Sequence, residues 1–312
     1  MDSNKDFANR NVDYLTLKER EIVSKFNPDR ITSAFEQDKI FTEILTSEGL
    51  VENQDQLSAE RRRMGALVIT MIQKMDDVFD GRRHTFKERN SLLEKDELLE
   101  KLMLVNTNIH PDGATVADLL NIVLKASTNN ELYPIDAQRL IAQDIDYLRT
   151  TVVTTLSDTE KNPKSVNFEQ ALNLRRVTNG GEAALMFDLS FGQFVKNPNY
   201  FATRQKVVDM SLVISLADDV SDFTEDMNGE KVNSFLSCTR DTHEHDSLMS
   251  VFRTRGFRKQ TKRGELQMSE ILTAMKLAPK AYRMIYDTQK GLLDSVGSKT
   301  LTTFYSILQP KN

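Results

Sequence analysis

Tryptophan is absent from this chain, and cysteine occurs once, at position 238. A lone cysteine excludes an internal disulfide, and such sparing use is that of a reducing compartment such as the cytosol. Glycine and proline are scarce, 12 and 7 in 312 residues, which removes the punctuation that strand-rich chains need and favours helix. No Pro/Gly/Ser-rich linker, low-complexity tract or internal repeat marks a boundary. One all-α domain over residues 1–312 is therefore expected. Positive charge is also short: 41 Lys and Arg stand against 46 Asp and Glu, for a net charge of −5. That balance predicts no nucleic-acid face and no polybasic membrane patch. Long hydrophobic runs are missing too. The longest apolar helical segment, residues 64–75, is interrupted by Thr70, Gln73 and Lys74 and is too short to span a bilayer. Residues 1–11 lack the apolar core of a secretory signal, so a cytoplasmic protein without a membrane span is the expectation.

What the chain does contain is helical periodicity. Leu15, Ile22, Val23 and Phe26, then Ile31, Phe35, Ile40, Phe41 and Ile44, recur at helical spacing on either side of Asn27-Pro28-Asp29. Met64, Leu67, Val68, Met71, Ile72, Met75 and Phe79 make a core-facing stripe stopped at Gly81, with Arg82, Arg83 and His84 following. Further amphipathic helices are predicted over 91–105, 116–126, 135–156, 266–275, 281–293 and 301–308. Residues 168–194 read as a helix interrupted at Asn179-Gly180-Gly181, where each glycine costs about 1 kcal/mol relative to alanine. Residues 200–222 read as a helix buried nearly all round in its upper part. The 241–246 stretch, with His243 and His245, reads as a solvated loop, because two histidines two apart do not converge on a helix face.

Two acidic ladders end apolar helices: Asp76-Asp77-Val78-Phe79-Asp80 and the run from Asp218 to Asp226. Residues four apart on a helix stand one above the other, so Asp76 pairs with Asp80, and Asp218, Asp222 and Asp226 are expected in one column. Like charges so placed are destabilising, and partial burial adds to the cost. A cation among them answers it. Hard oxygen ligands suit Mg²⁺, which takes one or two carboxylates per ion and completes its octahedron with water and substrate phosphates. A single acidic cluster is ordinary in an acidic protein, whereas two of the same D-D-x-x-D form point to shared chemistry. Ser211 and Ser215 lie upstream of the second ladder on roughly its face, where small side chains leave room.

These residues resemble the motifs of the class I isoprenoid synthases, the all-α superfamily of terpene cyclases and trans-prenyltransferases. Asp76 to Asp80 is similar to the first aspartate-rich motif. Asp218 to Asp226 resembles the cyclases' N/D-D-x-x-S-x-x-x-E, with Asp222 at the Ser position and Asp226 at the Glu position. Gly229-Glu230 and Asn233 resemble the G-D-x-x-N that trails it, and Arg176-Val177-Thr178-Asn179-Gly180 resembles the effector segment of bacterial cyclases. The resemblance covers about half the chain and implies a helical bundle around a central active-site cavity. It implies several Mg²⁺ ions on Asp76, Asp77, Asp80, Asp218, Asp222 and Asp226, and diphosphate contacts from Arg176, Lys231 and Tyr305. Arg176 would be the diphosphate sensor, Asn179 the linker and Gly180 the effector in a kinked helix.

The implied reaction ionises a linear prenyl diphosphate, of fifteen or twenty carbons, to an allylic cation that cyclises to a hydrocarbon or alcohol. A homodimer is compatible with it. Ile69, Ile72, Gln73, Phe187, Phe191, Ser211 and Ile214 are candidate cavity residues by helix face. The chain departs from the pattern in carrying Glu225 where a basic residue precedes the last ligand, and in having Phe304-Tyr305 without a C-terminal Arg-Tyr pair. Two other readings stand beside this one. A chain-elongating prenyltransferase would use Asp218, Asp219 and Asp222, but no basic G-K-x-x-R segment precedes the first motif. A non-catalytic helical scaffold of the same superfamily would tolerate the departures. The metal frame Asp222, Asp226 and Glu230 is a further alternative.

Overall fold

The computed structural model describes residues 49–50, 133–147, 162–229, 231–255 and 268–296, with isolated positions at 151, 155 and 159. All regular structure among them is helical. Helix α1 (Ile135–Tyr147) begins where the sequence periodicity places it and buries Ala137 and Ile141, one turn apart. Helix α2 (Phe168–Phe191) starts at Asn167, whose side chain accepts from Gln170 N at 2.8 Å while the Gln170 side chain accepts from Asn167 N at 3.0 Å. This capping box satisfies two orphan donors. Helices α3 (Tyr200–Ser221), α4 (Phe223–Gly229), α5 (Ser234–Asp241), α6 (His245–Arg255), α7 (Met268–Leu277) and α8 (Pro279–Val296) follow.

Helix α2 does not break at the glycine pair; it runs unbroken through Asn179-Gly180-Gly181. The propensity cost of the glycines is met by packing. Gly180 faces Val208 of α3, where an added Cβ would lie at an ordinary contact distance of 3.4 Å from Val208 Cγ1, and both glycines are buried. Most of α2 is buried, which is how a helix with two weak formers persists. Contacts pair Arg175 with Asp219, Asn179 with Ser211 and Asp188 with Arg204, so α2 and α3 run antiparallel.

Helix α8 packs along α3 and α5. Gln289 Nε2 donates to Val213 O at 3.0 Å and Ser295 Oγ to Asp209 Oδ2 at 2.7 Å. Between α3, α5 and α8 lies an apolar cluster including Leu216, Phe223, Phe235, Leu248, Ala281 and Ile285. Phe223 and Phe235 meet edge-on, with centroids 5.4 Å apart. Cys238 is buried within this cluster.

The 241–246 stretch is mostly helix end and helix start, with a turn over 242–244. Glu244 N donates to Thr239 O and His243 N to Arg240 O, the paired bonds of a Schellman turn, and His243 takes the left-handed position at φ 60°. The Glu244 carboxylate then accepts from Lys280 N at 3.2 Å and Ala281 N at 2.9 Å, capping α8. Among the described residues, no helix is long and apolar enough to cross a membrane.

Candidate metal centre

The apolar run of α3 delivers its acidic end to the junction of four helices. Helix α3 stops at Ser221, and Asp222 caps it with φ −114° and ψ 10° before α4 begins. The turn therefore changes direction inside the acidic run. Asp219, Asp222 and Asp226 converge, each contributing one carboxylate oxygen, with all three oxygens within 4.8 Å of one another. Asp218 is exposed at the end of α3. The grouping follows positions i, i+3 and i+7 in place of the expected column at i, i+4 and i+8.

Asp219 is 2% exposed and fully engaged. Arg175 Nε donates to its Oδ2 at 3.2 Å, Arg175 Nη2 donates to its Oδ1, and Ser234 N donates to Oδ2 at 2.8 Å. Such a two-pronged guanidinium–carboxylate pair fixes orientation as well as charge. Burial by itself lowers the Arg175 pKa, but the adjacent Asp219 outweighs it, so the guanidinium is held firmly charged. Arg175 Nη2 also reaches Val232 O at 3.2 Å, tying α2 to the segment before α5.

Asn233 is the second tie. Its Nδ2 donates to Asp226 Oδ2 at 2.9 Å and to Asp219 O at 2.8 Å, while its Oδ1 accepts from Leu236 N at 2.9 Å as the N-cap of α5. One buried amide thus holds Asp226, the end of α3 and the start of α5 together.

Asp222 is the least satisfied of the three. Its Oδ1 is buried with no hydrogen-bond partner among the described residues. Burial, then the charges of Asp226, Asp218 and Asp219, push its carboxyl up to about 9, with Arg175 pulling the other way. Asp226 is raised to about 6, mainly by burial; the Asn233 bond opposes it, Asp219 adds to it, and Lys231 and Arg175 oppose it. An orphaned carboxylate oxygen beside two more carboxylates is a donor set that fits a hard divalent cation.

Of the other expected site residues, Arg176 is exposed on α2. Asn179 is half-buried, its Oδ1 accepting from Thr178 Oγ1 at 2.9 Å and its carbonyl from Ser211 Oγ at 3.3 Å. Gly180 packs on α3. Lys231 lies close enough to act on the Asp226 charge. Phe187 and Phe191 are buried in mutual contact and Phe187 also meets Tyr200, with centroids 5.1 and 5.0 Å apart. Ile214 is 49% exposed. Asp76, Asp77, Asp80, Tyr305, Ile69, Ile72 and Gln73 lie outside the described residues. Arg175, which holds Asp219, belongs to no motif in the sequence. Its only sequence signal is adjacency to Arg176, and which of two neighbours about 100° apart on a helix meets the acids is decided by the packing of α2 on α3.

No protein-family model matches the chain, and neither a curated protein nor a solved structure does.

Proposed function

We propose that this protein is a Mg²⁺-dependent cyclase of the class I terpene synthase type, acting on a linear prenyl diphosphate and releasing diphosphate. The observation that carries the reading is the convergence of Asp219, Asp222 and Asp226 at the end of an apolar helix, with the Asp222 Oδ1 atom buried and unpaired among the described residues. The all-helical character of the described residues supports it, as does the order of the sequence motifs.

In this reading Asp222 and Asp226 would hold Mg²⁺, and Asp76, Asp77 and Asp80 of the first motif would be further ligands. The metal supplies Lewis-acid neutralisation of the leaving diphosphate. Asp219 is a positioning group, because Arg175 and Ser234 N already claim its oxygens. Asn233 orients Asp226 by the hydrogen bond to Oδ2. Arg176, exposed on α2, and Lys231 offer positive charge to diphosphate oxygens. A half-buried Asp222 whose carboxyl is pushed up gains most from a cation, so metal affinity should fall steeply with acidity.

The test is incubation of the pure protein with Mg²⁺ and prenyl diphosphates of ten to twenty-five carbons, followed by analysis of extracted hydrocarbons and alcohols. Cyclic products that vanish in Asp222→Asn support the reading. Longer prenyl diphosphates formed only with isopentenyl diphosphate would assign a prenyltransferase instead. No product with any substrate, together with no effect of Mg²⁺ and diphosphate on thermal stability, would leave the scaffold reading.

A further inference from the structure

A second carboxylate group occupies the other half of α2, where no motif pointed. Asp188 is fully buried. Its Oδ1 accepts from Tyr200 Oη at 2.7 Å and from Arg204 Nε at 3.1 Å, and its Oδ2 accepts from Arg204 Nε at 3.0 Å. Arg204 then reaches across to α1, where Nη2 donates to Asp144 Oδ1 at 2.7 Å. The remaining oxygen, Asp144 Oδ2, is buried and has no donor among the described residues. One guanidinium thus joins both carboxylates, meeting Asp188 through Nε and Asp144 through Nη2. Two carboxylates are both acceptors and meet favourably only across a proton or a cation, and here a single cation serves both.

Charge counting gives the same answer. Among the described residues, two ionised carboxylates against one guanidinium leave an excess of −1, and one proton makes the group neutral. The groups acting most strongly on Asp188 are Asp144 from α1 and Arg204 and Tyr200 from α3. Tyr200 stays a neutral donor, since burial and the Asp188 charge raise its hydroxyl far above the ordinary value. Of the other charged groups on α1, Asp136 and Arg139 pair with each other at its surface and Asp146 is exposed.

We propose that Asp144 and Asp188 share one proton and, gripped by Arg204, form a proton-dependent clamp that holds α1 against α2. With the proton in place α1 is docked; when it leaves, the two carboxylates repel and α1 loosens. Burial, the Asp144 bond and the Asp144 charge raise the Asp188 carboxyl to about 7, against the pull of Arg204 and Tyr200. The sign follows from the raised value. The clamp contributes its full stability below the pKa of an unfolded aspartate, and that contribution is lost as pH rises through about 7. Asp188 lies thirteen residues along α2 from Arg175, about 20 Å, so the clamp does not depend on the metal reading.

The experiment compares the pH dependence of denaturant unfolding for the full chain and for Asp144→Asn, whose amide N–H₂ takes the place of the shared proton. Across roughly pH 4 to 7 the native chain should hold about one more proton than the variant relative to the unfolded state, which is up to tenfold in the unfolding constant per pH unit. Equal slopes would overturn the proposal. Hydrogen exchange supplies a second measurement: amides of residues 135–147 should lose protection above neutrality in the native chain, beyond the intrinsic rate, and keep it in Asp144→Asn. If Asp144→Asn does not fold, infrared spectra of the chain with isotope-labelled aspartate decide, taken with Asp222→Asn and Asp226→Asn to silence the acidic cluster. A protonated-carboxyl band that disappears as pH rises through about 7 supports the clamp, and its absence at pH 5 overturns it.

Discussion

Asparagine at position 222 removes one charge from a place where three carboxylate oxygens lie within 4.8 Å. At that separation two unit charges repel by about 3.5 kcal/mol at an effective dielectric of 20, and by about 0.9 kcal/mol in water. Asp222 has two such neighbours, but the Arg175 guanidinium on Asp219 offsets one of them, and half-burial leaves solvent to screen the rest. Asp222→Asn keeps the side-chain volume and spares the fold the cost of either ionising or protonating a carboxyl there. It is therefore expected to stabilise the metal-free fold by about 1–3 kcal/mol near neutral pH, raising Tm by about 2 °C per kcal/mol. The pH dependence has a definite sign. The folded-state pKa of Asp222, about 9, lies above its unfolded value, so the stability of the protonated form is lost as pH rises through that range, and the variant should lose less. Mg²⁺ should raise the Tm of the parent and barely move that of the variant. Thermal melts at pH 5, 7 and 9, with chelator and with excess Mg²⁺, measure all three effects. A variant less stable than the parent in chelator would refute the repulsion argument, and a parent indifferent to Mg²⁺ would refute the metal site.

Arg175→Met leaves Asp219 charged and buried without its partner, and is expected to cost about 3–5 kcal/mol by denaturant unfolding, with much of it recovered when Asp219→Asn is added. A loss below about 1 kcal/mol would show that the pair is not what fixes α2 to the acidic run. Gly180→Ala places a Cβ at ordinary contact distance from Val208 and gains helix propensity, so stability should hold or rise by up to about 1 kcal/mol. Turnover that falls while that stability holds would mark Gly180 as functional beyond packing. His243→Gly relieves a left-handed backbone at the end of α5 and should stabilise by up to about 1 kcal/mol in thermal melts, a loss instead meaning that the imidazole contributes.

Helix α3 was legible in the sequence to within one residue, because an apolar run with capping polar residues at its end leaves little choice. The join at Asp222 was not. Helical spacing allows two sets, Asp218, Asp222 and Asp226 at i, i+4 and i+8, or Asp219, Asp222 and Asp226 at i, i+3 and i+7, and the structure brings the second set together. Which of Asp218 and Asp219, and of Arg175 and Arg176, faces the junction depends on how α2 lies against α3, information that neighbouring letters do not carry. Propensity is local and so predicts a break at the glycine pair in α2, whereas the packing of Gly180 on Val208 that sustains the helix is tertiary. The clamp of Asp144, Asp188, Tyr200 and Arg204 left no short-range trace, since Asp144 and Arg204 stand sixty residues apart in the chain.

The antiparallel pair α2 and α3 is fastened by charge at two places, Arg175 to Asp219 and Arg204 to Asp188, with the close approach of Gly180 and Val208 between them. Two fasteners on one pair of rods act as a vernier. Sliding α3 along α2 by a single helical turn, 5.4 Å, would undo both at once and leave two buried carboxylates unpaired. Shear between these helices is thereby closed off as a route of conformational change. A pivot of α4 about Asp222, where the backbone already leaves the helix, moves Asp226 relative to Asp219 without sliding α3, and Asn233 is the tether on that swing.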